Sequence, residues 1–195
     1  MTVEMLGNAA SRVSYTEEAI KDAFLNLLKR KDYMDITVTD ICKTAGVSRG
    51  TFYAHFDNIA KLTDTLFEEA LSNVGNIPLQ YICLPGNSQN DGLPLCMFLR
   101  KNKKYQPLFF SSSLRSSAIG HTVDALLDGF LSVMKDKTSL SDSQLEDLLY
   151  MQITGCIMVC LKHIHDPDEE WEKTRYNVDA FLTNGFCHLR WRSTP

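Results

Sequence analysis

The stretch Thr37–Lys61, TVTDICKTAGVSRGTFYAHFDNIAK, decides the fold. Thr37 and Asp40 make a Thr-x-x-Asp helix start of the capping-box type. Val38, Ile41, Cys42 and Ala45 share one helical face, and Gly46 can take the positive φ that closes a helix. Ser48 then caps a second helix. The spacing predicts two short helices, at about 38–45 and 48–55, joined by Ala45-Gly46-Val47-Ser48. Such a turn is of the helix-turn-helix type, which leaves the second helix free to enter the major groove of DNA.

Upstream, Thr16–Arg30 carries Ala19, Ile20, Ala23, Phe24, Leu27 and Leu28 on one face, with acids in the first turn and Lys29, Arg30 and Lys31 at the end, as the helix dipole favours. The small, polar residues before Ser14 predict a mobile arm. Phe24, Leu28, Ile41, Val47, Phe52 and Phe56 are the expected core of a three-helix unit. A unit of that size buries little surface and needs support, which a fourth helix over about 58–74 supplies through Leu62, Leu66, Phe67, Ala70 and Leu71.

Residues 75–94, with three glycines and three prolines, read as a connecting segment. Helical periodicity returns over Leu93–Lys103, from Pro107, over Ser116–Lys135, from Ser141 to about His165, and from Asp166-Pro167-Asp168-Glu169 to about Arg190. Gln80–Leu84 is the single strand candidate, and prolines flank it. The expected fold class is all-α: a three-helix DNA-binding domain with a helix-turn-helix, over 14–74, then a larger helical ligand-binding and dimerisation domain over 95–192.

Composition narrows the function classes. The chain has 195 residues and a formal net charge of −4, so bulk charge does not suit it to polyanions and any nucleic-acid contact must come from a local patch. No signal peptide or membrane-length apolar run is read, and six cysteines in such a chain point to reduced thiols, so the expected location is cytoplasmic, without membrane contact.

With these elements in order, Ala45-Gly46-Val47-Ser48-Arg49-Gly50-Thr51-Phe52-Tyr53 followed by His55-Phe56 resembles the TetR family of bacterial transcriptional regulators. The resemblance covers roughly residues 14–74; beyond about 75 it is one of helical layout. It implies a homodimer that binds a short palindromic double-stranded DNA operator, most often as a repressor, and leaves it when a small-molecule effector enters the larger domain. By resemblance Thr51 and Tyr53 match positions that hold the DNA backbone, and Arg49 matches a variable position that sets sequence choice.

The chemistry of the same residues agrees. With Phe52 and Phe56 facing the core, Arg49, Gly50, Thr51, Tyr53, Ala54 and His55 remain for DNA, Gly50 permitting close backbone approach. Thr39 and Ser48, at helix N-termini, can meet phosphates. The chain departs from the family at Phe56-Asp57-Asn58-Ile59, where a phosphate-binding lysine is usual at position 59; Lys61 is the candidate substitute. Over Thr37–Lys61, Lys43, Arg49 and Lys61 stand against Asp40 and Asp57, a formal +1, which predicts a modest salt dependence.

Other readings compete. Gly46-Val47-Ser48-Arg49-Gly50 fits the Gly-x-Ser-x-Gly elbow of an α/β-hydrolase, but that elbow follows a buried strand and here a capped helix precedes it, so no enzyme is expected. Cys156, Cys160 and His163 fall on one helical face and suggest a metal or thiol sensor, against the more ordinary reading of packed cysteines with no metal and no cofactor. An interaction protein on the same scaffold is a further alternative. Phe98, Phe109, Phe110, Phe130 and Met134, with Met97 and Tyr105, are candidate walls of an effector pocket. Leu148, Gly155, Phe181 and Gly185, with Met151, Ile153, Leu182, Phe186 and Trp191, are candidates for a four-helix dimer surface.

Overall fold

Local chemistry sets the helix ends. In the computed structural model, which describes residues 3–72, 95–135 and 138–189, the helices are α1 (Val3–Leu28), α2 (Val38–Ala45), α3 (Arg49–His55), α4 (Ile59–Ser72), α5 (Leu95–Lys101), α6 (Gln106–Phe110), α7 (Arg115–Met134), α8 (Asp142–Lys162) and α9 (Asp168–Leu189). A 3-10 turn, Tyr33–Asp35, lies between α1 and α2. No strand occurs among the described residues, and the fold is all-α. The connecting segment 75–94, with the strand candidate Gln80–Leu84, lies outside the described residues.

α1 begins at Val3, thirteen residues before the expected Thr16, so the predicted arm is helical over 3–14. The reason is compositional: no proline interrupts residues 3–28, Glu4, Met5, Leu6, Ala9 and Ala10 favour helix, and extending a formed helix adds one hydrogen bond per residue fixed.

The chain divides into two compact units. The first comprises the residues up to Glu69 together with Lys104–Arg115; the second comprises Ala70–Lys103 and the residues from Ser116 on. Residues 104–115, which the sequence groups with 95–192, thus cluster with the N-terminal helices. Their side chains explain it: Phe109 sets its ring edge to face on Phe67 at 5.4 Å, and Leu108, Phe109 and Leu114 are buried. Ile20, Phe24, Ile41, Phe52, Leu62 and Leu66 are fully buried in the same unit; Val47 is half-buried.

The second unit has its own core of Phe98, Leu99, Ala118, Phe130, Met134, Leu145, Ile153 and Ile157. Ser141 and Gln144 form a capping box that starts α8. Arg100 fastens α5 to the turn before α9: it donates to the carbonyls of His163 (2.6 Å) and Asp166 (2.9 Å) and to the Asp168 carboxylate (3.0 Å), and lies 5.0 Å over the Trp171 ring.

Candidate nucleic-acid interface

Thr37 caps α2 by accepting from Asp40 N (3.1 Å), while the Asp40 carboxylate accepts from Thr37 N (3.1 Å), the reciprocal box expected from Thr-x-x-Asp. Hydrogen bonds from the Thr37 hydroxyl and backbone, and then Lys31 at 3.2 Å, hold the Asp40 carboxyl below the usual carboxylate range. Asp40 is thereby committed to capping and pairing within the fold.

Gly46 ends α2 at φ +69, and its N–H donates to Cys42 O. A Cβ there would meet nothing within 4 Å, so conformation rather than space requires glycine. Gly46→Ala is therefore expected to lower stability by about 1–2 kcal/mol in urea unfolding, and Gly46→Asn by less.

Ser48 starts α3, its Oγ accepting from Thr51 N at 3.0 Å and lying 2.8 Å from Thr51 Oγ1. That occupies the serine as a helix cap on a turn that follows a helix, which removes the structural basis of a hydrolase elbow. Phe52 turns inward and is fully buried, with Phe56 beside it at 6.0 Å between ring centroids. Helical geometry then sends the neighbours outward: Arg49 and Gly50 are exposed, Tyr53 is 48% exposed with its ring set edge to face on Phe52, and Thr51 and His55 are half-buried. Thr39, the second residue of α2, is exposed as well.

α4 starts nearby. Asn58 Oδ1 accepts from Lys61 N at 2.8 Å, so the residue found near the family's usual lysine position acts as a helix cap, and Lys61 projects exposed from the first turn. The sequence reading missed this cap, although an asparagine just before a helical run is a signal for one. Thr39, Ser48, Arg49, Gly50, Thr51, Tyr53, His55 and Lys61 thus all sit within two residues of, or on, the first turns of α2 and α4 and on the short α3.

The remaining predicted sites fare unevenly. Phe109 is core of the first unit against Phe67, and Phe110 is half-buried on the same short helix, while Phe98, Phe130 and Met134 are buried in the second unit. Apolar periodicity alone could not assign them to different cores. On the face of Cys156, Cys160 and His163, Cys160 is buried and the other two are half-buried. His163 Nδ1 lies 2.7 Å from the Asp166 carboxylate, the Cys160 thiol donates to Cys96 O at 3.6 Å, and burial pushes the Cys156 and Cys160 thiols up to about 12. Among the described residues no three His, Cys, Asp or Glu side chains are placed to hold a metal ion.

Gly155, Phe181 and Gly185 are exposed and Leu148 is half-exposed. Ile153, by contrast, is buried inside the chain, and the side chains of Phe186 and Trp191 lie outside the described residues. No helix among the described residues is long and apolar enough to cross a membrane.

Comparison with known proteins agrees with this geometry. Residues 20–66 match the family described as bacterial regulatory proteins, tetR family. Over 64 residues, 32% of this chain and 17% of the relative, the chain is 38% identical to the uncharacterized HTH-type transcriptional regulator YxbF of Bacillus subtilis (strain 168). Over 95 residues, 48% of this chain and 49% of the relative, it is 34% identical to the HTH-type dhaKLM operon transcriptional activator DhaS of Lactococcus lactis subsp. lactis (strain IL1403). The matched region thus spans at most about half the length of these relatives. A solved structure of the dihydroxyacetone kinase operon activator DhaS shares the fold, with a TM-score of 0.52 and 22% identity over 90% of this chain and 98% of that one. Over residues 20–66 the chain thus carries a helix-turn-helix region of the kind found in bacterial regulatory proteins of the tetR family.

Proposed function

We propose that the chain is a homodimeric, operator-binding regulator of transcription, and that it acts as a repressor released by a small-molecule effector. The observation that carries the reading is the group of exposed donors Thr39, Arg49, Tyr53 and Lys61 on α2, α3 and α4, around a recognition helix that turns Phe52 inward. In this reading Arg49 reads base edges, Thr51, Tyr53 and Lys61 hold phosphates, Thr39 and Ser48 present helix N-termini to the backbone, and His55 donates from the end of α3. Lys61 takes the part of the lysine missing at Ile59.

Gly50 supplies the sharpest test. A Cβ at Gly50 would meet only Ser48 Oγ, at an ordinary 3.7 Å, so the fold itself does not need glycine there. Close approach of DNA to the backbone does. Gly50→Ala is expected to leave the fold intact or stabilise it by up to about 1 kcal/mol, while weakening binding to the DNA upstream of the protein's own gene about tenfold or more in fluorescence anisotropy. Unchanged affinity in the alanine variant, or no preference of the natural chain for that DNA over random DNA, counts against the reading.

Dimerisation is supported by a stripe on α8, Leu148, Met151, Gly155 and Met158, in which Met151 is 55% exposed, and by Phe181 on α9, which is 75% exposed. A Cβ at Gly155 or Gly185 would meet nothing within 4 Å, which leaves both positions open to close approach by a partner helix. For the effector, Phe98, Phe130 and Met134 offer apolar walls in the second unit. Gln152, buried with its Oε1 unbonded among the described residues, offers one acceptor for a ligand donor. Repression is the proposed mode because a dimer on promoter DNA needs no further surface to block transcription. The activator name of DhaS favours the opposite sign, and a promoter fusion that falls when the gene is deleted would establish it.

A further inference from the structure

Residues 104–115 are flanked in the chain by α5 and α7 but belong to the first unit, and they are attached to it at three places. At the start, the Tyr105 hydroxyl donates to Glu69 Oε1 at 2.5 Å, and Lys104 Nζ lies 3.5, 3.2 and 4.0 Å from Glu18, Asp22 and Glu69. In the middle, Leu108 and Phe109 have no exposed surface, and Phe109 rests on Phe67. At the end, Ser113 Oγ donates to Asp32, 2.7 Å from each carboxylate oxygen.

The two polar attachments reach the parts of the unit that set its DNA-facing helices. Glu69 is on α4, eight residues beyond Lys61, about 12 Å along one rigid helix. Asp32 accepts from Met34 N at 3.0 Å and so caps the turn Tyr33–Asp35, which leads into Thr37 and α2. One short segment therefore fixes both the lie of α4 and the entry to α2.

We propose that residues 104–115 form a positioning strap for DNA recognition, in which Tyr105 and Ser113, acting through Glu69 and Asp32, hold α4 and the start of α2 in the arrangement an operator requires. The proposal rests on the operator-binding reading above. Neither residue touches DNA in it. A recognition surface that is already ordered gives up less freedom on binding, so loosening the strap weakens specific binding and leaves the charge-driven binding of random DNA alone.

Tyr105→Phe and Ser113→Ala each remove one oxygen and keep the side chain's shape. Made in the full chain, singly and together, they are read first by amide hydrogen exchange without DNA. Ser113→Ala is expected to speed exchange over 34–42, Tyr105→Phe over 61–72, and the double variant over both by about threefold to tenfold. Ser113→Thr, which keeps the hydroxyl, restores the pattern of the natural chain. The double variant is further expected to bind operator DNA about tenfold more weakly, with random-DNA affinity unchanged within about twofold and a thermal midpoint within a few degrees. Unchanged exchange at both places overturns the strap whatever the protein binds, and so does an equal loss of specific and random binding. If the natural chain shows no operator preference, the regulator reading fails, and with it the strap's role in recognition.

Discussion

Phe52→Ala is expected to unfold the first unit. The ring is fully buried, lies edge to face against Tyr53 at 5.4 Å and meets Phe56 at 6.0 Å. Removing a buried aromatic ring forfeits its transfer free energy and leaves a cavity, together about 3–5 kcal/mol. For a small helical unit that is most of the available stability. Circular dichroism should show partial loss of helix at room temperature, and DNA binding should vanish with it. Phe52→Leu keeps most of the volume and should retain both at reduced stability. Full helicity and an unchanged thermal midpoint in the alanine variant would mean that the core around α3 is not what holds the unit together.

Lys21→Ala has the second largest expected effect, for an electrostatic reason. Lys21 is only 6% exposed on α1, and its ammonium pairs with Glu17 (3.5 Å), Glu18 and Glu69 (2.7 Å). Burial alone would lower the lysine pKa, but the hydrogen bonds it donates to Glu18 and Glu69 more than reverse it, and the group stays charged. Without it, three carboxylates are left facing one another. Breaking a buried pair by removing one partner costs roughly 3–5 kcal/mol; with the carboxylates partly in water, about 2–3 kcal/mol is expected here.

The same cluster gives a pH dependence. Burial raises the Glu69 pKa, but hydrogen bonds from Lys21 and Tyr105 outweigh it and hold the carboxyl below its ordinary value of 4.5. A depressed folded pKa contributes stability that is full above 4.5 and is lost as pH falls through the folded value. Asp32, lowered by the Met34 N–H and then by Ser113, acts in the same direction. The thermal midpoint should therefore drop as pH falls below 4.5, and the drop should be smaller in Glu69→Gln. A midpoint that rises on acidification would contradict the assignment of Glu69 as an ionised partner.

What could be read from the sequence is what local chemistry writes there. Thr37 and Asp40 are three residues apart, Gly46 closes a helix whatever else surrounds it, and Ser48 caps the next, so α2 and α3 follow from the order of residues. The inward turn of Phe52 and Phe56 follows from helical spacing, and it leaves Arg49, Gly50 and Tyr53 outside. The contacts that organise the first unit are of another kind. Lys21 meets Glu69 across 48 residues, Tyr105 meets Glu69 across 36, and Ser113 meets Asp32 across 81. No periodicity marks a polar pair at such separations. Phe109 shows the same limit among apolar residues: its spacing says buried, and only the tertiary fold says in which unit.

In the proposed regulator two copies of α3 read one DNA site. A hydroxyl-radical footprint of the DNA upstream of the protein's own gene tests it most directly. Two protected patches of equal strength are expected, related by a dyad and centred about one helical turn apart or a little more, both lost in Gly50→Ala at the same protein concentration. Protection without a dyad, a footprint unchanged in the alanine variant, or no protection at any concentration would contradict it.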